Sequence, residues 1–217
     1  MSMRDLHTAD TRPQWDRIPE PQQNGFQKIA RETDGAVTPA NAVTIAGFAL
    51  VVSGLLDLSR GNRRKAITKI ATGRCFDLID GTVAKATGTM SPFGEALDAG
   101  LDKVAMAATL VVLHKSKDMP RGMQRLFAAR DLGMAILSGV GKARHVHPHP
   151  NEAGKTATFY QWMAGGSILI AAELRDSDQP QLALGAELAS AAFMGVFVAK
   201  SADGIRDLAQ QAFQQPE

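Results

Sequence analysis

Four aspartates between Asp77 and Asp102 constrain this chain more than any other feature. They come as two pairs, Asp77 with Asp80 at i, i+3 and Asp98 with Asp102 at i, i+4. On a helix, either spacing puts both carboxylates of a pair on one face. Gly94 stands one turn before Asp98 on that face, and Gly81 directly follows Asp80. Between the pairs, the stretch from Thr87 to Pro92 carries a glycine and a proline and reads as a turn. The segment is therefore expected to fold as a helical hairpin, each arm turning two carboxylates toward a common space. Glycines beside the carboxylates leave room for another backbone or a ligand. Four carboxylates in one pocket repel each other and cannot all be ionised without a cation. Hard oxygen donors in that number suit magnesium, manganese or calcium.

The chain has 217 residues, enough for one domain with a sizeable core. A net charge of +2 argues against a nucleic-acid partner, and the single cysteine, Cys75, excludes an internal disulfide. The first residues are polar and interrupted by prolines, with no apolar run of the kind a signal peptide needs. Residues 1–34 are expected to be a polar segment holding a short juxtamembrane helix, with Phe26, Ile29 and Ala30 on one side for a lipid surface. The stretch from Gly35 to Leu56 carries no charge and is long enough to span a membrane.

Further apolar stripes follow at helical spacing from Arg63 to Phe76, Leu101 to Leu113, Met123 to Gly141, Trp162 to Leu174 and Leu182 to Lys200. The first of these carries Arg63, Arg64, Lys65, Lys69 and Arg74, charges that a membrane helix tolerates when they face a bundle interior or a water-filled cavity. Arg130–Asp131 is either a buried pair or part of a polar pocket. His145, His147 and His149 alternate in a proline-bearing stretch that reads as a solvated loop rather than a metal site. Residues 201–217 read as a polar tail. Mean hydropathy is −0.10, low for six spans, and basic clusters on alternate connections give no orientation.

As written, the aspartate segment is D-x2-D-G-x2-A-K-x8-G-x3-D-x3-D. It closely resembles the signature of the CDP-alcohol phosphatidyltransferase family, which differs only in carrying arginine where this chain has Lys85. A second, looser resemblance joins Asn41 and Thr44 to the family's P-N-x2-T motif, with Pro39 displaced by one residue. A third places Gly154, Lys155, Thr158 and Gln161 on a G-K-x-K-T-x2-Q segment.

The resemblance implies an all-α, integral-membrane bundle of six helices over residues 35–200, preceded by the juxtamembrane helix. It implies an enzyme that moves a phosphatidyl group from CDP-diacylglycerol to an alcohol or polyol-phosphate acceptor, releasing CMP, with magnesium or manganese as cofactor. Asp77, Asp80, Asp98 and Asp102 would be metal ligands, with Asp102 also the general base. Asn41, Thr44, Gly81, Ala84, Lys85 and Gly94 would line the donor site, and Arg130 and Lys155 would meet an acceptor phosphate. It further implies a homodimer among membrane lipid, in the cell (inner) membrane with the active site facing the cytoplasm. Two alternatives stand beside it: a non-catalytic helix bundle with a structural cation site, and a soluble all-α magnesium-dependent enzyme of prenyl-transferring type. The second uses adjacent aspartates, which neither pair here contains.

Overall fold

The computed structural model describes residues 13–115, 118–144 and 151–213. Among these residues two short 3-10 turns, Gln14–Arg17 and Glu20–Gln22, lead into seven helices: α1 (Gly25–Glu32), α2 (Pro39–Ser59), α3 (Arg63–Thr87), α4 (Pro92–Lys115), α5 (Arg121–Ala143), α6 (Glu152–Asp176) and α7 (Pro180–Phe213). No strand occurs among the described residues. The chain is all-α. It falls into two compact units, residues up to Thr109 and residues from Leu110 onward. His145, His147 and His149 lie outside the described residues.

In the first unit, the ends of the helices are set by local chemistry. Thr38 caps α2 by accepting the Asn41 N–H at 3.0 Å, and Pro39 fills the first helical position, where its missing N–H costs nothing. α3 ends at Gly88 in the left-handed region (φ 69°), with the Thr89 N–H closing back on the Ala84 carbonyl at 2.9 Å. Ser91 then caps α4, its hydroxyl accepting the Gly94 N–H at 3.0 Å. The hairpin turn expected between the aspartate pairs is built from these caps.

α2 and α3 pack closely because glycines meet at their crossing. A Cβ on Gly73 would stand 2.6 Å from the Gly47 carbonyl oxygen, and one on Gly47 would stand 2.9 Å from that of Gly73. Farther along, Gly54 accommodates Ile70 in the same way. At that end Lys69 Nζ donates to Asp57 at 2.6 Å and to Ser53 at 2.8 Å, so one of the awkward charges of α3 is satisfied against α2.

The segment before α2 packs onto the hairpin turn. Trp15 is buried, the Gln14 N–H donates to the Met90 carbonyl, and Asn24 reaches the Thr87 carbonyl. A reciprocal capping box between Asn24 and Gln27 starts α1. The apolar side expected on this helix is divided: Phe26 and Ile29 are exposed, whereas Ala30 is buried.

In the second unit α7 packs along α6 and against α5. Phe127 and Phe197 meet edge to face, and the Ser190 hydroxyl donates to the Ala164 carbonyl. α7 does not stop near Lys200 but runs on to Phe213. Ser201, Gly204, Leu208 and Ala212 form its buried stripe, and a Cβ on Gly204 would stand 3.0 Å from the Gly154 nitrogen. The polar composition after residue 200 belongs to the outer faces of this helix.

Only α2 and α7, among the described residues, are long and apolar enough to cross a membrane by themselves. The other long helices are too charged or too polar for that test. α3 alone holds Arg63, Arg64, Lys65, Lys69, Arg74, Asp77 and Asp80.

Candidate active site

The site lies within the first unit. α3 presents Asp77 and Asp80, and α4 presents Asp98 and Asp102. Asp77, Asp80 and Asp98 each offer a carboxylate oxygen, and these three oxygens lie within 4.8 Å of one another. Asp102 is not in that group. Its Oδ1 accepts a hydrogen bond from Arg74 Nη1 at 2.8 Å, and Arg74 Nη2 stands 3.2 Å from Asp77 Oδ2. The structure thus brings three of the four expected ligands together and gives the fourth to an arginine.

Asp80 is the most constrained of the four. It is buried, and Oδ1 accepts the Gly81 N–H at 2.6 Å while Oδ2 accepts the Thr44 hydroxyl at 2.7 Å. That second bond exists because the Gly47–Gly73 crossing holds α2 and α3 close, one turn away from both Thr44 and Asp77. Thr44, Gly47, Arg74, Asp77 and Asp102 line a shallow crevice there.

The other donor-side candidates fall into two groups. Asn41 is buried, and its amide donates to the Gly35 and Ala36 carbonyls, fixing the turn before α2. Its Oδ1 would stand 3.1 Å from a Cβ on Gly94, so Gly94 fits closely against it. Gly81, by contrast, faces open space: a Cβ there would meet no neighbour within 4 Å. Ala84 is half-buried and Lys85 is exposed.

In the second unit, Arg130 is buried and donates to Asp131 at 2.9 Å and to the Gly154 carbonyl at 2.6 Å. Gln161 completes the network by donating to the other oxygen of Asp131. Three members of the G-K-x-K-T-x2-Q segment are tied into it, since the Thr158 hydroxyl also reaches the Gly154 carbonyl. Lys155 is exposed and pairs with Glu152 one turn earlier.

The residue that sequence reasoning missed is Arg74. It was visible as one more charge on an apolar stripe, yet it precedes Asp77 by one helical turn, the spacing at which side chains on a helix meet.

The donor set suits a hard divalent cation. Three converging carboxylates supply oxygen donors only, and their mutual repulsion is relieved by a cation between them. The Thr44 hydroxyl and Gly81 N–H hold Asp80 as outer partners hold a ligand at a metal centre. Thr44→Val should keep the fold and weaken divalent-ion affinity by roughly 10- to 100-fold. A titration of the purified protein with manganese would check this, and an unchanged affinity would remove Thr44 from the site.

The chain matches the family model described as CDP-alcohol phosphatidyltransferase over residues 37–199. It is 28% identical over 137 residues to a probable phosphatidylglycerophosphate synthase of Mycobacterium tuberculosis, covering 60% of this chain and 65% of that protein. It is 28% identical over 141 residues to a cardiolipin synthase (CMP-forming) of Streptomyces coelicolor, covering 61% and 65%. An archaetidylinositol phosphate synthase of Pyrococcus horikoshii is 35% identical over a shorter stretch, 34% of this chain and 39% of that protein. The chain thus spans just under two thirds of the length of the bacterial relatives it matches. No solved structure matches it significantly. The family match takes in nearly all the helical chain from the start of α2 to the middle of α7, including the aspartate hairpin whose carboxylates converge, and on that extent the chain belongs to the CDP-alcohol phosphatidyltransferase family.

Proposed function

We propose that this protein transfers a phosphatidyl group from CDP-diacylglycerol to an alcohol or polyol-phosphate acceptor and releases CMP. The observation that carries this is the convergence of Asp77, Asp80 and Asp98 in a chain of this family. These three residues would hold the divalent cation, magnesium or manganese. When bound, such an ion neutralises charge building on phosphoryl oxygens and aligns attacking and leaving groups.

The rest is the work of the chain's own residues. Thr44 and the Gly81 N–H keep Asp80 oriented. Asp102 takes the proton of the acceptor hydroxyl on a carboxylate oxygen as that hydroxyl's oxygen bonds to the phosphorus bearing the diacylglycerol. The bond from that phosphorus to the CMP oxygen breaks, and CMP leaves with the electron pair. Gly81, Ala84 and Gly94 leave space for the cytidine. Asn41 holds the turn beside Gly94, and Lys85 offers the pyrophosphate a single compact charge in place of an arginine fork.

On the acceptor side, Lys155 is the more available of the two basic candidates. Its pair with Glu152 is exposed and readily exchanged, whereas Arg130 would act by bracing the segment around Gly154. The names of the relatives point to different acceptors, so the acceptor class stays broad. We place the protein in the cell (inner) membrane as a homodimer of six-helix bundles with the site toward the cytoplasm. α2 and α7 support the membrane assignment directly. α3 supports it through charges satisfied within the first unit: Lys69 on Asp57 and Ser53, Arg74 on Asp77 and Asp102.

The test is CMP release by detergent-purified protein given CDP-diacylglycerol, magnesium or manganese, and a panel of alcohols and alcohol phosphates. Release should require metal and one acceptor class, stop on chelation, and be absent from Asp98→Asn. Asp102→Asn should abolish release while CDP-diacylglycerol still binds. Donor binding without release under any acceptor, in the wild-type protein, would favour the non-catalytic bundle instead.

A further inference from the structure

Close backbone pairing joins α2 to α3, whereas α3 and α4 approach each other less closely, and Arg74 makes an ion pair from one to the other. Along the hairpin, Asp80 and Asp98 stand nearest the turn, Asp77 and Asp102 come next, and Arg74 lies one turn beyond Asp77. From there its guanidinium takes Asp102 Oδ1 at 2.8 Å and sits 3.2 Å from Asp77 Oδ2. An arginine is always charged, only donates, and presents its donors in a rigid plane. A carboxylate engaged by it has its charge balanced where it stands. Asp102 takes the shorter, hydrogen-bonded contact and stands outside the three carboxylates that converge, whereas Asp77, at the longer distance, is one of them.

We propose that Arg74 is a positioning residue that divides the four aspartates, leaving Asp77, Asp80 and Asp98 to hold the divalent cation and reserving Asp102 for the acceptor's proton. The inference rests on the metal-dependent transfer proposed above. It answers a chemical difficulty in that scheme. A carboxylate bound to a divalent cation is a poor proton acceptor, and four equivalent aspartates around one ion would leave no base. A guanidinium hydrogen-bonded to Asp102, and only standing near Asp77, favours giving the two tasks to different carboxylates. Position 74 lies outside the signature that carries the family resemblance.

The experiment is a manganese titration of the full-length, detergent-purified protein, followed by the electron paramagnetic resonance of free Mn2+. Arg74→Gln removes a positive charge from the site and releases Asp102 toward the cluster, so Mn2+ should bind about ten-fold more tightly. Arg74→Lys keeps the charge and should stay within about two-fold of wild type. In the wild-type background Asp102→Asn should change Mn2+ affinity less than about three-fold, and in the Arg74→Gln background it should undo the ten-fold gain.

An Arg74→Gln protein that binds Mn2+ no more tightly than wild type would overturn the division. So would an equal loss from Asp102→Asn in both backgrounds. If Arg74→Gln does not fold, Asp102→Asn alone decides: a ten-fold loss in the presence of Arg74 would make Asp102 a ligand and end the proposal. Mn2+ binding that is lost in Asp77→Asn but indifferent to Arg74 would sink the division and leave the metal site standing. No Mn2+ binding by the wild-type protein would sink both.

Discussion

Asp80→Asn should lower CMP release by a factor of about 10³ or more while the protein stays folded, because it removes one of the three charges proposed to hold the cation that stabilises the transferred phosphoryl group. Asp80 is the buried member of the set, engaged from α2 by Thr44 and from its own helix by the Gly81 N–H. Asparagine has the same shape, and its single oxygen can still accept one of those two bonds, so packing at the α2–α3 contact survives. It cannot accept both and also give a charged oxygen to the cluster. The measurement is CMP release beside circular dichroism and thermal melting of the same preparation. Unfolding would make the residue structural, and retention of more than about a tenth of the activity would contradict its place as a metal ligand.

Gly73→Ala should destabilise the protein by about 3 kcal/mol, the upper range for forcing a methyl group into a packed contact. The new Cβ would stand 2.6 Å from the Gly47 carbonyl oxygen, 2.8 Å from a Val51 methyl and 3.1 Å from the Val51 nitrogen. Two of these are backbone atoms of a helix and cannot turn aside, so α2 must move off α3. Thr44 lies one turn from Gly47 on α2, and its hydroxyl would leave Asp80, coupling the loss of stability to a loss of activity. Gly81→Ala is the matching control. Its Cβ meets nothing within 4 Å, and alanine favours a helix over glycine by about 1 kcal/mol. Stability should hold or rise, and any loss should appear in the donor's KM, because in the proposed reading the open space at Gly81 takes the donor. A thermal melt and a donor titration on both variants separate the two roles. Equal destabilisation would show that packing accounts for both glycines.

What could be read in advance was local. The i, i+3 and i, i+4 spacings put each aspartate pair on one face, Gly88 and Pro92 marked the turn, Thr38-Pro39 marked the start of α2, and the apolar stripes gave the long helices. Each depends on a few neighbouring residues and on helical geometry, which a sequence carries entirely. The polar run after Lys200 misled for the same reason. Composition shows that Asp203, Arg206 and Asp207 want water, but not that Gly204, Leu208 and Ala212 line the opposite side of one continuous helix.

Which side chains from different helices meet was decided only in three dimensions. Whether Arg130–Asp131 forms a buried pair or joins a pocket was open until Gly154 and Gln161 were found beside it. The contact of Arg74 with Asp102 came to light likewise. Four aspartates in two equivalent pairs are nearly symmetric as sequence. The symmetry breaks because the Gly47–Gly73 contact fixes the distance from Thr44 to Asp80, and because a guanidinium one turn below Asp77 is long enough to reach Asp102 across to α4. The sequence by itself determined four carboxylates on a helical hairpin and the family they belong to. The tertiary structure decided that three of them converge and one is held apart, since that depends on distances between helices and on the reach of a single side chain.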